Sequence, residues 1–128
     1  MSSHPNFAAA GLFLSSTLVL LGLNGMARPA SHLWALQFPV PVEPAARKLS
    51  FALMRIWGVR NFAVGSLLAL IWRTGDDRLL AHGLAAGTAL AVTDGFVSRS
   101  LIGGGETQHW MVPPVLAVIM AGLYGWFD

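Results

Sequence analysis

The chain has no cysteine, and only 11% of its 128 residues are charged. The first absence excludes a disulfide framework and thiol chemistry, and it leaves every compartment open. The second sets the chain apart from a soluble domain, in which about a quarter of the residues are charged. The net charge is +2, and the basic residues are scattered. No basic patch is interleaved with aromatic residues, so nucleic acid is not an expected partner. The four histidines, His4, His32, His82 and His109, do not recur at metal-ligand spacing. No metal site is expected, and nothing in the sequence asks for a cofactor.

What the chain has instead is apolar residues, 55% of the total, gathered in long blocks rather than half-buried stripes. That pattern predicts an integral membrane protein with one domain over residues 1–128. The expected fold is all-α, a bundle of four transmembrane helices. After a short polar lead, with Asn6 as the expected N-cap, Phe7 to Met26 runs without a charge. The lead has no Lys or Arg and the block is too long for a signal-peptide core, so it reads as a retained first helix. Residues 27–50 hold Pro29, Pro39, Pro41 and Pro44 and read as a proline-rich loop. Within it, Ser31 to Phe38 reads as a short interfacial helix with Trp34 at headgroup level. Its apolar residues predict a docked lid rather than a loose tether. The second helix is expected from Ser50 to Trp72, then a tight turn broken at Gly75, then a third helix from Leu79 to Ser98. Gly83 and Gly87 offer a small-residue packing face on the third helix. Trp110 to Phe127 forms the last span, with Pro113 and Pro114 in its first turns. Four crossings put both termini on one side. Arg28, Arg47, Lys48 and Arg99 outnumber Arg73 and Arg78 across the membrane, which places the lid side in the cytoplasm by the positive-inside rule.

The spans carry polar groups that hydrocarbon does not tolerate without a partner. A charge at the bilayer centre costs about 2.5–3.5 kcal/mol on insertion scales and commonly marks a site. Arg55 and Arg60 lie in the second helix and Asp94 in the third. With the turn centred near Gly75, Asp94 falls opposite Trp57 and about one helical turn from Arg60. Trp57, Arg60 and Asn61 share one helical face, from which Arg55 is turned away. Asn24, Glu106 and His109 fall toward the same side of the membrane, and Trp110 follows directly. The Arg60–Asp94 pair admits two readings, a buried ion pair that fixes helix register and a functional pair. Asn24 likewise reads as a helix-end residue or a ligand contact, and Arg55 as an interfacial arginine or a ligand contact.

Three stretches carry a resemblance: GVRNFAVG at Gly58–Gly65, AVTDG at Ala91–Gly95 and GGGETQH at Gly103–His109. Together they resemble a family of small four-helix integral membrane proteins, common in fungi and catalogued mainly as a domain of unknown function. The likeness covers helices two to four. Some relatives are assigned as epoxide hydrolases or cyclases in polyketide pathways of the aurovertin and citreoviridin type, beside a flavin monooxygenase. The resemblance therefore implies an epoxide-opening enzyme of secondary metabolism, in the endoplasmic reticulum membrane if the source is fungal. Opening an epoxide needs a hydrogen-bond donor or acid on the ring oxygen and a base for the attacking water or hydroxyl. On that reading Asp94 is the base or orients the nucleophile, Arg60 is its electrostatic partner, and Glu106 or His109 is the second acid/base. Asn24, Arg55, Trp57, Asn61 and Trp110 then bind substrate. The expected partners are a lipophilic small molecule and the lipid bilayer, with a homo-oligomer left open. The alternative is a non-catalytic four-helix protein, either a small-molecule binder or transporter or a subunit that stabilises a partner.

Overall fold

The computed structural model describes residues 3–128 and contains no strand among them. Helix α1 spans Pro5–Ala27, α2 Pro29–Ala35, α3 Pro44–Thr74, α4 Asp77–Ile102, α5 Thr107–Trp110 and α6 Val112–Leu123. Three of them, α1, α3 and α4, are long and apolar enough to cross a membrane. Their outward surfaces carry large apolar side chains in the open, among them Phe13, Leu20, Ile56, Leu67 and Leu101. A water-soluble monomer rarely exposes so continuous an apolar surface. The fold is that of an integral membrane protein.

Three boundaries differ from the sequence expectation for one physical reason. Proline is excluded from helix interiors, but its missing N–H costs nothing in the first turn. Pro5 therefore starts α1 ahead of Asn6, and His4 is the N-cap, without a side-chain capping bond. In the same way Pro29 opens α2, and Pro44 opens α3 well before Ser50. Glu43 caps α3, its carboxylate accepting from the N–H groups of Ala45 (2.9 Å) and Ala46 (2.6 Å). The proline-rich loop thus shrinks to Leu36–Glu43. The Arg47 guanidinium ties that remnant to the first turn of α3 by donating to the carbonyls of Pro41 (2.9 Å) and Val42 (3.3 Å). Trp34, on the intervening helix, is 80% exposed, as an interfacial residue should be.

Helix α2 ends in a Schellman arrangement, with Gln37 N–H bonded to the Trp34 carbonyl and Phe38 N–H to the Leu33 carbonyl. The residue in the left-handed position is Gln37, at φ 64°, where glycine is the usual occupant. Its side chain is exposed. Gln37→Gly is expected to stabilise the protein by about 0.5–1 kcal/mol, since the left-handed penalty of roughly 1–2 kcal/mol outweighs the extra chain entropy of glycine. Thermal unfolding in one detergent checks it, and a lower melting temperature would show that the glutamine side chain has a role.

The last apolar block is broken as well. Pro113 and Pro114 cannot donate the bonds that would join α5 to α6, so the helix is interrupted at Met111. Helix α6 stops at Leu123, where Gly125 at φ 74° lets Trp126 N–H reach the Ala121 carbonyl. The expected single helix over 110–127 is therefore two helices and a turn.

The main helices run up and down. The tightest contact joins α1 and α3, antiparallel, through residues without bulk. A Cβ on Gly58 would stand 2.6 Å from the Gly22 carbonyl oxygen, and one on Gly65 2.6 Å from the Ser15 carbonyl oxygen. In lipid, helices associate by such close packing rather than by burying apolar surface from water. The expected Gly83/Gly87 face is only half used: Gly83 meets Leu68, whereas Gly87 faces open space. The apolar core, built on Leu68, Leu80, Leu84, Leu116, Ile119 and Leu123, lies toward the end where the termini meet. There His4 Nδ1 is 3.6 Å from the Asp128 carboxylate, and the Ser3 N–H donates to Asp77 at 2.9 Å. The opposite half of the bundle holds the polar groups.

Candidate functional site

Residues Trp57, Arg60 and Asn61 fall on one face of α3 because three- and four-residue steps nearly complete a helical turn. The short turn at Gly75 sets the register of α4 against that face and brings Asp94 to it. Arg60 grips Asp94 with both terminal nitrogens, at 3.1 Å to Oδ1 and 2.6 Å to Oδ2. The Trp57 indole N–H donates to Oδ2 at 3.3 Å. The guanidinium carbon also lies 5.7 Å from the centre of the Trp57 ring, within cation–π range. A carboxylate offers about four lone-pair sites. Oδ2 receives two of these donors and Oδ1 one, so Oδ1 retains a site for a water or hydroxyl.

Two cavities adjoin this cluster, of about 430 Å³ and 360 Å³. Trp57, Asp94 and His109 stand in the walls of both. His109 comes from α5 and is half-buried. The neutral ring can donate through one nitrogen and accept through the other.

The structure brings together Trp57, Arg60, Asn61, Asp94 and His109 and leaves the other expected residues apart. Asn61 is 4% exposed, lines the smaller cavity, and its Nδ2 has no partner among the described residues. Arg55 is exposed, because two residues of helix turn it about 200° from Trp57; it lines neither cavity. Trp110 is a packing residue, with its ring on Gly95 and against Phe96 and its N–H donating to the Val92 carbonyl at 3.3 Å. Glu106 precedes α5 and sits 3.9 Å from Arg99. It is absent from both cavity walls, so of the two expected residues His109 is the one that shares those walls with Asp94.

Asn24 acts at one remove, through a residue that sequence reasoning passed over. Its Nδ2 lies 2.7 Å from Nδ1 of His32, whose ring packs 4.7 Å from that of Trp57. His32 is 2% exposed and lines the smaller cavity. With Nδ1 accepting from Asn24, the proton belongs on Nε2, which has no partner among the described residues. The available signal was Pro29: read as a helix start, it places His32 and Leu33 together on the inward face of α2.

Burial holds His32, on α2 outside the spanning helices, below the ordinary imidazole value of 6.5. Below that value the unfolded chain binds a proton at His32 that the folded protein does not, so stability rises with pH. The protein is expected to keep its full stability above about pH 7 and to lose it progressively as pH falls below about 6.5. Melting temperatures between pH 5 and 8 measure this, and a flat profile would contradict it.

No curated protein and no solved structure matches the chain. A protein family described as a domain of unknown function, DUF4267, matches residues 15–123. The match takes in α2 to α6 whole and more than half of α1, and the chain belongs to that family.

Proposed function

We propose that this member of the DUF4267 family is a membrane-embedded enzyme that opens a lipophilic epoxide, by water or by a hydroxyl of the same molecule. The observation that carries the reading is an oriented carboxylate with a vacant lone-pair site, beside a half-buried histidine, at the wall of apolar cavities within a membrane protein. Asp94 Oδ1 takes the proton of the attacking water or hydroxyl as its oxygen bonds to one epoxide carbon. The carbon–oxygen bond of the ring breaks, the N–H of neutral His109 donates a hydrogen bond to the released oxygen, and that oxygen takes its proton from solvent. The reaction is redox-neutral, and Asp94 returns its proton to solvent. Arg60 and Trp57 hold the carboxylate in place, and Asn61 and His32 lie within reach of bound substrate. A lipophilic substrate reaches such cavities from the bilayer.

In this reading α5 and α6, with the turns flanking them, complete a fourth crossing. Helix α6 alone is about 18 Å long, short of the roughly 30 Å hydrocarbon core. Support comes from the C-terminal Asp128 lying against His4 at the start of α1, the arrangement an even number of crossings requires. The role in polyketide biosynthesis and the endoplasmic reticulum location rest on the GVRNFAVG, AVTDG and GGGETQH resemblance. The test is to incubate the purified protein with lipophilic epoxides and follow ring opening by mass. Ring opening above the uncatalysed rate supports the enzyme, and none across a broad panel favours a non-catalytic binder.

A further inference from the structure

Two apolar chambers meet at Asp94, and their arrangement says where the oxygen of a ligand must lie. The larger, about 430 Å³, lies beneath the segment after α2, between α3 and the end of α4, with Phe38, Leu53, Met54, Leu101 and Ile102 in its walls. The smaller, about 360 Å³, runs the other way into the bundle, along Leu14, Leu18, Leu84, Leu90 and Leu116. Leu36, Trp57, Asp94 and His109 belong to both. Trp57, Asp94 and His109 therefore stand at a waist rather than at a blind end, with Asn61 and His32 on the wall of the smaller chamber.

We infer that the site takes an uncharged, chain-like molecule whose oxygen lies in mid-chain, with an apolar arm in each chamber. This rests on the epoxide-opening reading for the identity of the oxygen. A ligand with a terminal oxygen would place that oxygen at the waist and fill only one chamber, forfeiting the apolar contact of the other. A charged headgroup is disfavoured, since the Asp94 carboxylate is already matched by Arg60 through two hydrogen bonds and leaves no net charge to pair. Gly87 supplies an independent observation: it lines the smaller chamber, and a Cβ there would meet nothing within 4 Å. That chamber is open beside Gly87, and a side chain there would plug it.

The test uses two inert isomers, dihexyl ether and methyl undecyl ether, which have the same formula and cannot be opened. Their binding to the purified protein is titrated calorimetrically in one detergent. Dihexyl ether is expected to bind about tenfold more tightly, and Gly87→Leu to abolish that preference while changing the affinity for methyl undecyl ether by less than about threefold. Gly87→Ala, a smaller plug on the same wall, is expected to reduce the preference partway, and it serves if the leucine variant does not fold. Equal affinities in the unmodified protein, or a preference for methyl undecyl ether, overturn the inference. An intact ether preference without epoxide opening would remove the catalytic reading and leave the two-armed ligand standing. Epoxide opening without the ether preference would do the reverse.

Discussion

Asp94→Asn is expected to lower epoxide opening per folded molecule by roughly 10²–10⁴-fold, the usual loss when an acid/base group is removed. Asparagine reproduces the shape of aspartate and can still accept from Arg60 and Trp57, but it cannot take the proton of an attacking water. The change also withdraws the charge that matches Arg60. Leaving Arg60 without its counter-charge inside the membrane costs about 2.5–3.5 kcal/mol on insertion scales, so the variant is expected to melt at a lower temperature as well. The two effects separate cleanly. Turnover is normalised to monodisperse protein and read beside thermal stability, and replacing Arg60 and Asp94 together with apolar residues is expected to recover much of the folding yield without recovering turnover. Near-normal turnover in folded Asp94→Asn would remove Asp94 from the mechanism and leave it as the counter-charge of Arg60. His109, in the wall of both cavities, would then be the group to substitute next.

The second large effect is expected at a glycine. Gly58→Val places a branched side chain where a Cβ would already stand 2.6 Å from the Gly22 carbonyl oxygen and 2.8 Å from the Met26 amide nitrogen. Those neighbours are backbone and cannot rotate aside, so α1 must move off α3. The cost is expected to reach or exceed about 3 kcal/mol, the upper end of the range for overpacking. It falls on a contact that lipid cannot replace, because no hydrophobic effect drives helices together inside a bilayer. Gly87→Ala is the matched control, since its added carbon meets open space and alanine has the better helix propensity by about 1 kcal/mol. Unfolding temperatures of the two variants in the same micelle are compared, and a Gly58→Val protein as stable as the control would refute the contact.

The sequence by itself determined that the chain is helical and apolar enough for a membrane, that α3 and α4 form a hairpin about Gly75, and that Asp94 lies level with Trp57, about one turn from Arg60. These features are local or follow from counting residues at a fixed rise from a short turn, and a helix pair leaves little freedom once the turn is set. Glu106 and His109 show where counting ends. They lie three residues apart beyond a glycine-rich loop, and only the packed position of α5 turns His109 to the cavities and leaves Glu106 beside Arg99. The prolines misled for a related reason: a proline is the same residue at the start of a helix or in its interior, and what distinguishes them is the capping by Glu43 at Pro44 and the bend at Arg28 before Pro29. The pairing of Asn24 with His32 depends on the angle of that bend, which no local rule fixes. The small-residue seam between α1 and α3 and the chamber beside Gly87 were equally beyond the sequence. One glycine accommodates another backbone and the other borders a void, and that difference belongs to what stands opposite, which tertiary packing alone decides.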